Sequence, residues 1–170
     1  MHRLFNALGF QASWWVCVAG VAYGLELPAI AFCFSLACVH LYRTENLLRE
    51  LKLAAGVLLT GIALDSSLQY FSVIRFHGSS LGPLSPFWLW MLWVMFSMTL
   101  NSSLSFLRSQ PLLLSSIAGM LFGPLSYYTG AALGAAEFKS SAVHILAMAT
   151  AWLIAFPFIV SLNNALNRRT

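Results

Sequence analysis

The sequence predicts an all-α polytopic transmembrane helix bundle with six spans and both termini in the cytoplasm. Of its 170 residues, 59% are hydrophobic and only 8% are charged, whereas soluble globular chains contain about 25% charged residues. So few charged side chains cannot cover the surface of a soluble domain of this size. Intrinsic disorder is excluded as well, because disordered chains are poor in apolar residues.

Six stretches are apolar enough to be helices that cross a bilayer core, for which about 20 residues are needed. They form a single transmembrane domain over residues 1–170 and cover approximately 5–24, 27–42, 51–74, 87–107, 112–133 and 141–162. Helix-breaking residues separate them, with Pro28 after the first, Ser85-Pro86 before the fourth and Pro111 before the fifth. The second stretch is short, because a charged flank follows it.

Basic residues are divided unevenly between the two sides of this bundle. With the N-terminus in the cytoplasm, seven of the nine lie on that side, and only Arg75 and Lys139 lie opposite. This asymmetry satisfies the positive-inside rule and predicts a multi-pass protein of the cell inner membrane. The seven are Arg3, Arg43, Arg49, Lys52, Arg108, Arg168 and Arg169. Alternatively, Arg3, the apolar run after it and the small residues Gly20-Val21-Ala22 resemble a signal peptide with its cleavage site, and cleavage would leave five spans.

Asp65 is the charged residue that lies deep inside a predicted span. At a helix centre such a residue costs about 2.5–3.5 kcal/mol on insertion scales, which indicates a partner, a polar cavity or a function. A carboxyl group that only bonds a neighbouring helix is the structural alternative. Three other polar residues are expected at similar depth in the outer half of the membrane. The predicted polar pocket therefore consists of Asp65, Gln69, Tyr127 and His144.

Small residues in the fifth span predict close helix packing. Two G-x-x-x-G spacings flank a proline in the middle of the span, which removes a helical hydrogen bond and bends the axis. In the fourth span, a polar segment of asparagine and serine predicts hydrogen bonds between helices. The predicted packing residues are Gly119, Gly123, Pro124, Gly130, Gly134 and Asn101. Trp88, Trp90 and Trp93 at the outer end of the fourth span are interpreted as interface anchors.

Several kinds of chemistry have no support in the sequence. No lysine lies in the middle of a span to form a Schiff base, and His40 and His144 lie near opposite faces of the membrane, which disfavours a shared haem. No zinc motif is present, so neither a metal nor a cofactor is predicted. The cysteines Cys17, Cys33 and Cys38 lie in apolar runs without a C-x-x-C pair, which indicates buried small hydrophobic residues. Nucleic acid is not an expected partner, because the positive charge is explained by topology.

One set of motifs resembles a domain-of-unknown-function family of small bacterial inner-membrane proteins. It comprises Asp65, residues 88–93, 100–103 and 123–127, Gly130, Leu133, Gly134 and Trp152. The resemblance covers nearly the whole chain. Because that family has no established activity, the resemblance transfers no catalytic role. Its members lie near genes for fatty-acid modification and oxidative stress, so the resemblance implies membrane lipids as the partner class.

Three functions are consistent with these observations. The leading hypothesis is a non-enzymatic accessory or transporter-like component that handles a lipid or small amphiphile, with Asp65, Tyr127 and His144 in its pocket. The first alternative is a membrane-embedded lipid-modifying enzyme that uses Asp65 and His144 as an acid–base pair. The second is a scaffold subunit of a membrane complex with a protein partner, in which the polar residues only pack helices.

Overall fold

The computed structural model describes residues 2–139 and 141–168, and most of this part of the chain is α-helical. The helices are α1 (His2–Ala22), α2 (Glu26–Tyr42), α3 (Leu47–Tyr70), α4 (Phe87–Leu100), α5 (Leu112–Ala132) and α6 (Ala142–Arg168). A 3₁₀ helix (Ser105–Ser109) lies between α4 and α5. Two short strands, β1 (Ile74–Phe76) and β2 (Ala136–Phe138), follow α3 and α5. The helical class predicted from the sequence is confirmed.

Three helices are long and apolar enough to cross a membrane, namely Arg3–Ala22, Leu112–Ala132 and Ala142–Arg168. Two further helices, Glu26–Tyr42 and Phe87–Leu100, are apolar but shorter. The remaining helix, α3, has 24 residues and includes Asp65. Length and composition therefore identify three candidate spans among the described residues.

Two helices end earlier than the sequence predicted. α4 stops at Leu100, because the backbone N–H groups of Ser102 and Leu104 turn back to the carbonyl of Thr99. α3 stops at Tyr70, two residues before Ser72, which has a φ of 56° and redirects the chain into β1. The predicted ends, residue 107 for the fourth span and residue 74 for the third, therefore lie beyond the ends of the helices. Hydropathy alone does not detect a turn within an apolar run.

The helices form an up-and-down bundle in which α3 and α4 are central. α4 packs against α1, α2 and α3, whereas α3 also packs against α6, which in turn packs against α5. Contacts of Asp65 with Trp93 and of Glu50 with Asn101 show that α3 and α4 run antiparallel. α1 and α5 lie on separate flanks of this central pair and make few direct contacts.

The two strands join the α3–α4 and α5–α6 connections at one end of the bundle, which we call the sheet end. They pair in antiparallel register, with Arg75 opposite Glu137. The opposite end, which we call the termini end, contains the start of α1 and the end of α6. Arg169, one of the predicted cytoplasmic residues, lies outside the described residues.

Candidate functional site

Asp65 lies at the centre of the bundle, where its side chain is fully buried. The indole Nε1 of Trp93 donates a hydrogen bond to its Oδ2 atom at 2.7 Å. The hydroxyl of Tyr127 donates a second hydrogen bond to Oδ1. These bonds join α3, α4 and α5 through one carboxyl group. Buried polar atoms without partners are costly, so this arrangement offsets much of the cost of burying Asp65.

A glycine one helical turn before Asp65 lets Trp93 reach it. A Cβ atom at Gly61 would lie only 2.2 Å from the Trp93 ring. The indole therefore lies directly against the backbone of α3, and its N–H group is directed at the carboxyl group one turn further along. A larger side chain at position 61 would displace the ring and break this contact.

A second indole, that of Trp152 on α6, completes the aromatic surroundings of the carboxyl group. It stacks on Trp93 with ring centroids 5.2 Å apart and an interplanar angle of 19°. Gly123 of α5 makes room for it, because a Cβ atom there would lie 2.2 Å from the Trp152 ring. The Nε1 atom of Trp152 is buried without a hydrogen-bond partner among the described residues, and the Trp152 and Tyr127 ring centroids lie 6.1 Å apart. Four helices thus contribute to one compact group.

This group forms part of the wall of a cavity of about 610 Å³ between α1 and α5. Aromatic side chains dominate its lining, together with a few polar groups that include Asp65 and Tyr127. Towards the sheet end, the lining includes Phe76, Ala135 and Ala136. The aromatic lining residues are Phe10, Trp14, Trp15, Phe76, Trp88, Trp93, Phe96, Phe106, Phe122, Tyr127, Trp152 and Phe156.

The cavity is partly open, and exposed apolar side chains mark its mouth. Trp15 of α1 and Phe122 and Leu125 of α5 line the cavity and are about half exposed or more. In the part of the chain that the structure describes, one hydrogen bond joins the two flanking helices, from the Trp14 indole to the Ser126 hydroxyl at 3.1 Å. Because α1 and α5 have few other contacts, this bond is the main polar link across the opening among the described residues.

The other two residues of the predicted pocket lie elsewhere. Gln69 accepts a hydrogen bond from the backbone N–H of Phe76 at 3.4 Å and lines a second cavity of about 510 Å³ near the sheet. His144 lies at the exposed start of α6, where its Nδ1 pairs with the Ser141 hydroxyl. The structure therefore brings Asp65 and Tyr127 together, whereas Gln69 and His144 have separate partners.

The predicted packing glycines have different surroundings. Gly119 and Gly123 lie against α6, where added Cβ atoms would come within 2.6 Å of Trp152. Gly130 lines the cavity instead, and an added Cβ atom would meet no atom within 4 Å. Gly134 follows α5 with a φ of 90°, and Pro124 lies within α5.

Asn101 belongs to a polar network at the termini end. Its Nδ2 atom donates to Glu50 Oε1 at 2.8 Å, and its Oδ1 atom accepts from Asn167 at 3.1 Å. Glu50 is buried, with only 4% of its side chain exposed, and lies 3.8 Å from the Nε2 atom of His40. This network joins α2, α3, α4 and α6 at the end of the bundle opposite the sheet.

Two of these features were not anticipated. Trp88 and Trp93 are buried, although the tryptophan cluster was interpreted as an interface anchor. Glu50 is also buried, although it belongs to the charged flank that follows the second predicted stretch. The sequence does contain one signal for the buried Trp93. Gly61 lies one helical turn before Asp65 on α3, which leaves space for an aromatic hydrogen-bond donor beside the carboxyl group.

Known proteins give limited guidance to this site. A family model described as "Protein of unknown function (DUF2878)" matches residues 3–158. No curated protein and no solved structure matches the chain. Among the described residues, no group of three or more histidine, cysteine, aspartate or glutamate side chains is placed to hold a metal ion. Any function must therefore be argued from the cavity and from the residues that line it.

Proposed function

The chain belongs to the DUF2878 family, whose function is unknown. From the residues of the chain itself, we propose that the protein is a non-enzymatic membrane component that binds a lipid or small amphiphile. The observation that carries this proposal is the cavity beside Asp65 and Tyr127. Its volume of about 610 Å³ falls within the range of about 300–1,000 Å³ that is usual for small-molecule sites. Such sites combine a mainly apolar lining with a few convergent polar groups.

The lining favours an apolar chain with a polar group that donates hydrogen bonds. Aromatic rings surround much of the cavity, whereas no lysine or arginine of the described residues lines it. Asp65 is fully buried behind Trp93 and Tyr127, so the acceptors that a ligand can reach are the side-chain oxygens of Gln11, Ser126 and Thr129, which also line the cavity. A hydroxyl or amine group on the ligand would therefore be accepted, whereas a phosphate group would lack a cationic partner.

The proposed setting is the cell inner membrane, with six spans and both termini in the cytoplasm. The up-and-down bundle supports this topology, because Arg3, Arg43 and Arg108 lie towards the termini end and Arg75 and Lys139 towards the sheet end. A reporter fused after Thr170 should be active in the cytoplasm. A periplasmic signal from this fusion would overturn the topology.

The enzyme alternative receives no specific support. Asp65 pairs with Trp93 and Tyr127, whereas His144 pairs with Ser141. An acid–base pair requires two groups within reach of one reacting atom. The scaffold alternative attributes the same hydrogen bonds to helix packing alone, so it predicts no ligand in the cavity.

The test uses a glycine pair that differs only in position. Gly130→Leu places a side chain in the cavity. The control, Gly9→Leu, adds the same side chain to α1 outside the cavity lining. The two sites are sterically matched, because an added Cβ atom meets no atom within 4 Å at either one. The purified proteins in nanodiscs are photolabelled with a diazirine-bearing long-chain alcohol. We expect saturable labelling of the wild-type protein and of Gly9→Leu, with at least a tenfold loss in Gly130→Leu. Equal labelling of all three proteins, or labelling that does not saturate, would refute the proposal.

A further inference from the structure

Two cysteines meet inside the α1–α2 interface. The Sγ atoms of Cys17 and Cys33 lie 3.4 Å apart, and both residues are fully buried. Both are free thiols in the structure. A disulfide bond has a length of about 2.05 Å, so the two sulfur atoms need to approach by little more than 1 Å to form one.

The backbones around this pair are held close by small residues. Gly20 faces Ala29, and a Cβ atom added to the glycine would lie only 2.6 Å from the alanine Cβ. The carbonyl of Ser13 lies 3.7 Å from Cys33 Sγ, one turn on the other side of the pair. A tight turn then connects the helices, with the Leu25 N–H group 2.6 Å from the Gly20 carbonyl. The interface therefore aligns the two thiols before any reaction.

We propose that Cys17 and Cys33 form a reversible thiol–disulfide pair that is oxidised by small neutral hydroperoxides. One thiol sulfur attacks the terminal oxygen of the hydroperoxide and the O–O bond breaks. The terminal oxygen stays on the sulfur as a sulfenic acid, and the other oxygen takes up the thiol proton and leaves as an alcohol or as water. The second thiol then attacks the sulfenic sulfur and expels water. In total, two thiols are oxidised by two electrons, the O–O bond is reduced and one S–S bond is formed.

Because the two thiols are buried, only small neutral oxidants such as hydroperoxides are expected to reach them. Neither thiol is exposed, which excludes bulky or charged disulfides such as oxidised glutathione. Cys33 is seven residues from the start of α2, so it lies about 10 Å inside that end of the helix, measured along the helix axis. Val18, the residue after Cys17, lines the aromatic cavity but neither cysteine does, so an oxidant has to be small enough to enter the α1–α2 interface. This inference does not depend on which amphiphile the cavity binds.

The third cysteine provides an internal control. Cys38 lies on the same helix as Cys33 but is exposed. The Cys38→Ser variant removes oxidation between molecules and keeps the buried pair intact. Cys17→Ser combined with Cys38→Ser leaves Cys33 alone.

The experiment treats the reduced, full-length Cys38→Ser protein in detergent with tert-butyl hydroperoxide. Free thiols are then alkylated with N-ethylmaleimide after denaturation and counted by mass spectrometry. We expect loss of both alkylation sites, a mass decrease of two hydrogens and a peptide linking positions 17 and 33, all reversed by dithiothreitol. The Cys17→Ser/Cys38→Ser protein should form no such link. Because the linked peptide is sought in a protein that retains both cysteines, the test does not depend on the folding of the double variant. Retention of both free thiols, or oxidation to sulfinic acid without a link, would overturn the proposal.

Discussion

Replacing Tyr127 with phenylalanine removes a single oxygen atom from the centre of the bundle. Tyr127 is 7% exposed, and its hydroxyl donates to the fully buried carboxyl group of Asp65. Hydrogen bonds to charged groups contribute about 1.5–3 kcal/mol in soluble proteins. Side-chain hydrogen bonds within membrane helices average about 0.6 kcal/mol and reach about 1.7 kcal/mol. Since the Trp93 bond remains in the variant, we expect Tyr127→Phe to lower the free energy of unfolding by about 1–2 kcal/mol.

A double-mutant cycle isolates this bond from other effects. In the Asp65→Leu background the Tyr127 hydroxyl has lost its acceptor, so removing it should cost nothing or should stabilise the protein. Tyr128→Phe is the matched control, because Tyr128 is the next residue and is 53% exposed; its effect should stay within about 0.5 kcal/mol. Unfolding is followed by SDS titration in mixed micelles. An equal cost of Tyr127→Phe in both backgrounds would refute the assignment of the bond.

Two further substitutions test packing and the termini-end network. Gly61→Ala places a Cβ atom 2.2 Å from the Trp93 ring and should destabilise the bundle by about 1–3 kcal/mol, whereas Gly56→Ala meets only a flexible side-chain end and should be nearly neutral. Equal effects of the two substitutions in the SDS titration would contradict this packing. Asn101→Ala removes the 2.8 Å donor to the buried Glu50 and should cost about 1–3 kcal/mol in the same assay. An unchanged midpoint would show that the network contributes little.

The helical architecture could be predicted because hydropathy reports it directly. Apolar runs located the six α-helices, since a long apolar segment satisfies its backbone hydrogen bonds internally as an α-helix, but not the 3₁₀ helix Ser105–Ser109. The short strands could not be predicted, because β1 and β2 have three residues each and pair across more than 50 residues of sequence. Sequence periodicity carries no signal for so short a pairing.

The site was predictable only in part, for a similar reason. Asp65 was identifiable from its cost in an apolar helix, and the depth of Tyr127 placed it at a comparable level. Depth does not determine which way a side chain faces, so it did not separate Tyr127 from His144, which lies at the exposed start of α6. Trp93 was assigned to the membrane interface by composition, although the space beside Gly61 places it in the interior.

The separation in sequence between Asp65 and its partners imposes an order on biosynthesis. Tyr127 lies 62 residues after Asp65, and Trp93 lies 28 residues after it. At about 5–20 residues per second, a ribosome needs roughly 3–12 s after making Asp65 to reach Tyr127. During that interval α3 exists without its full set of hydrogen-bond donors. Until both donors have been made, the Asp65 carboxyl group must bond to water or to other groups around the nascent chain, so substitutions at Asp65 should change the yield of folded protein as well as its final stability.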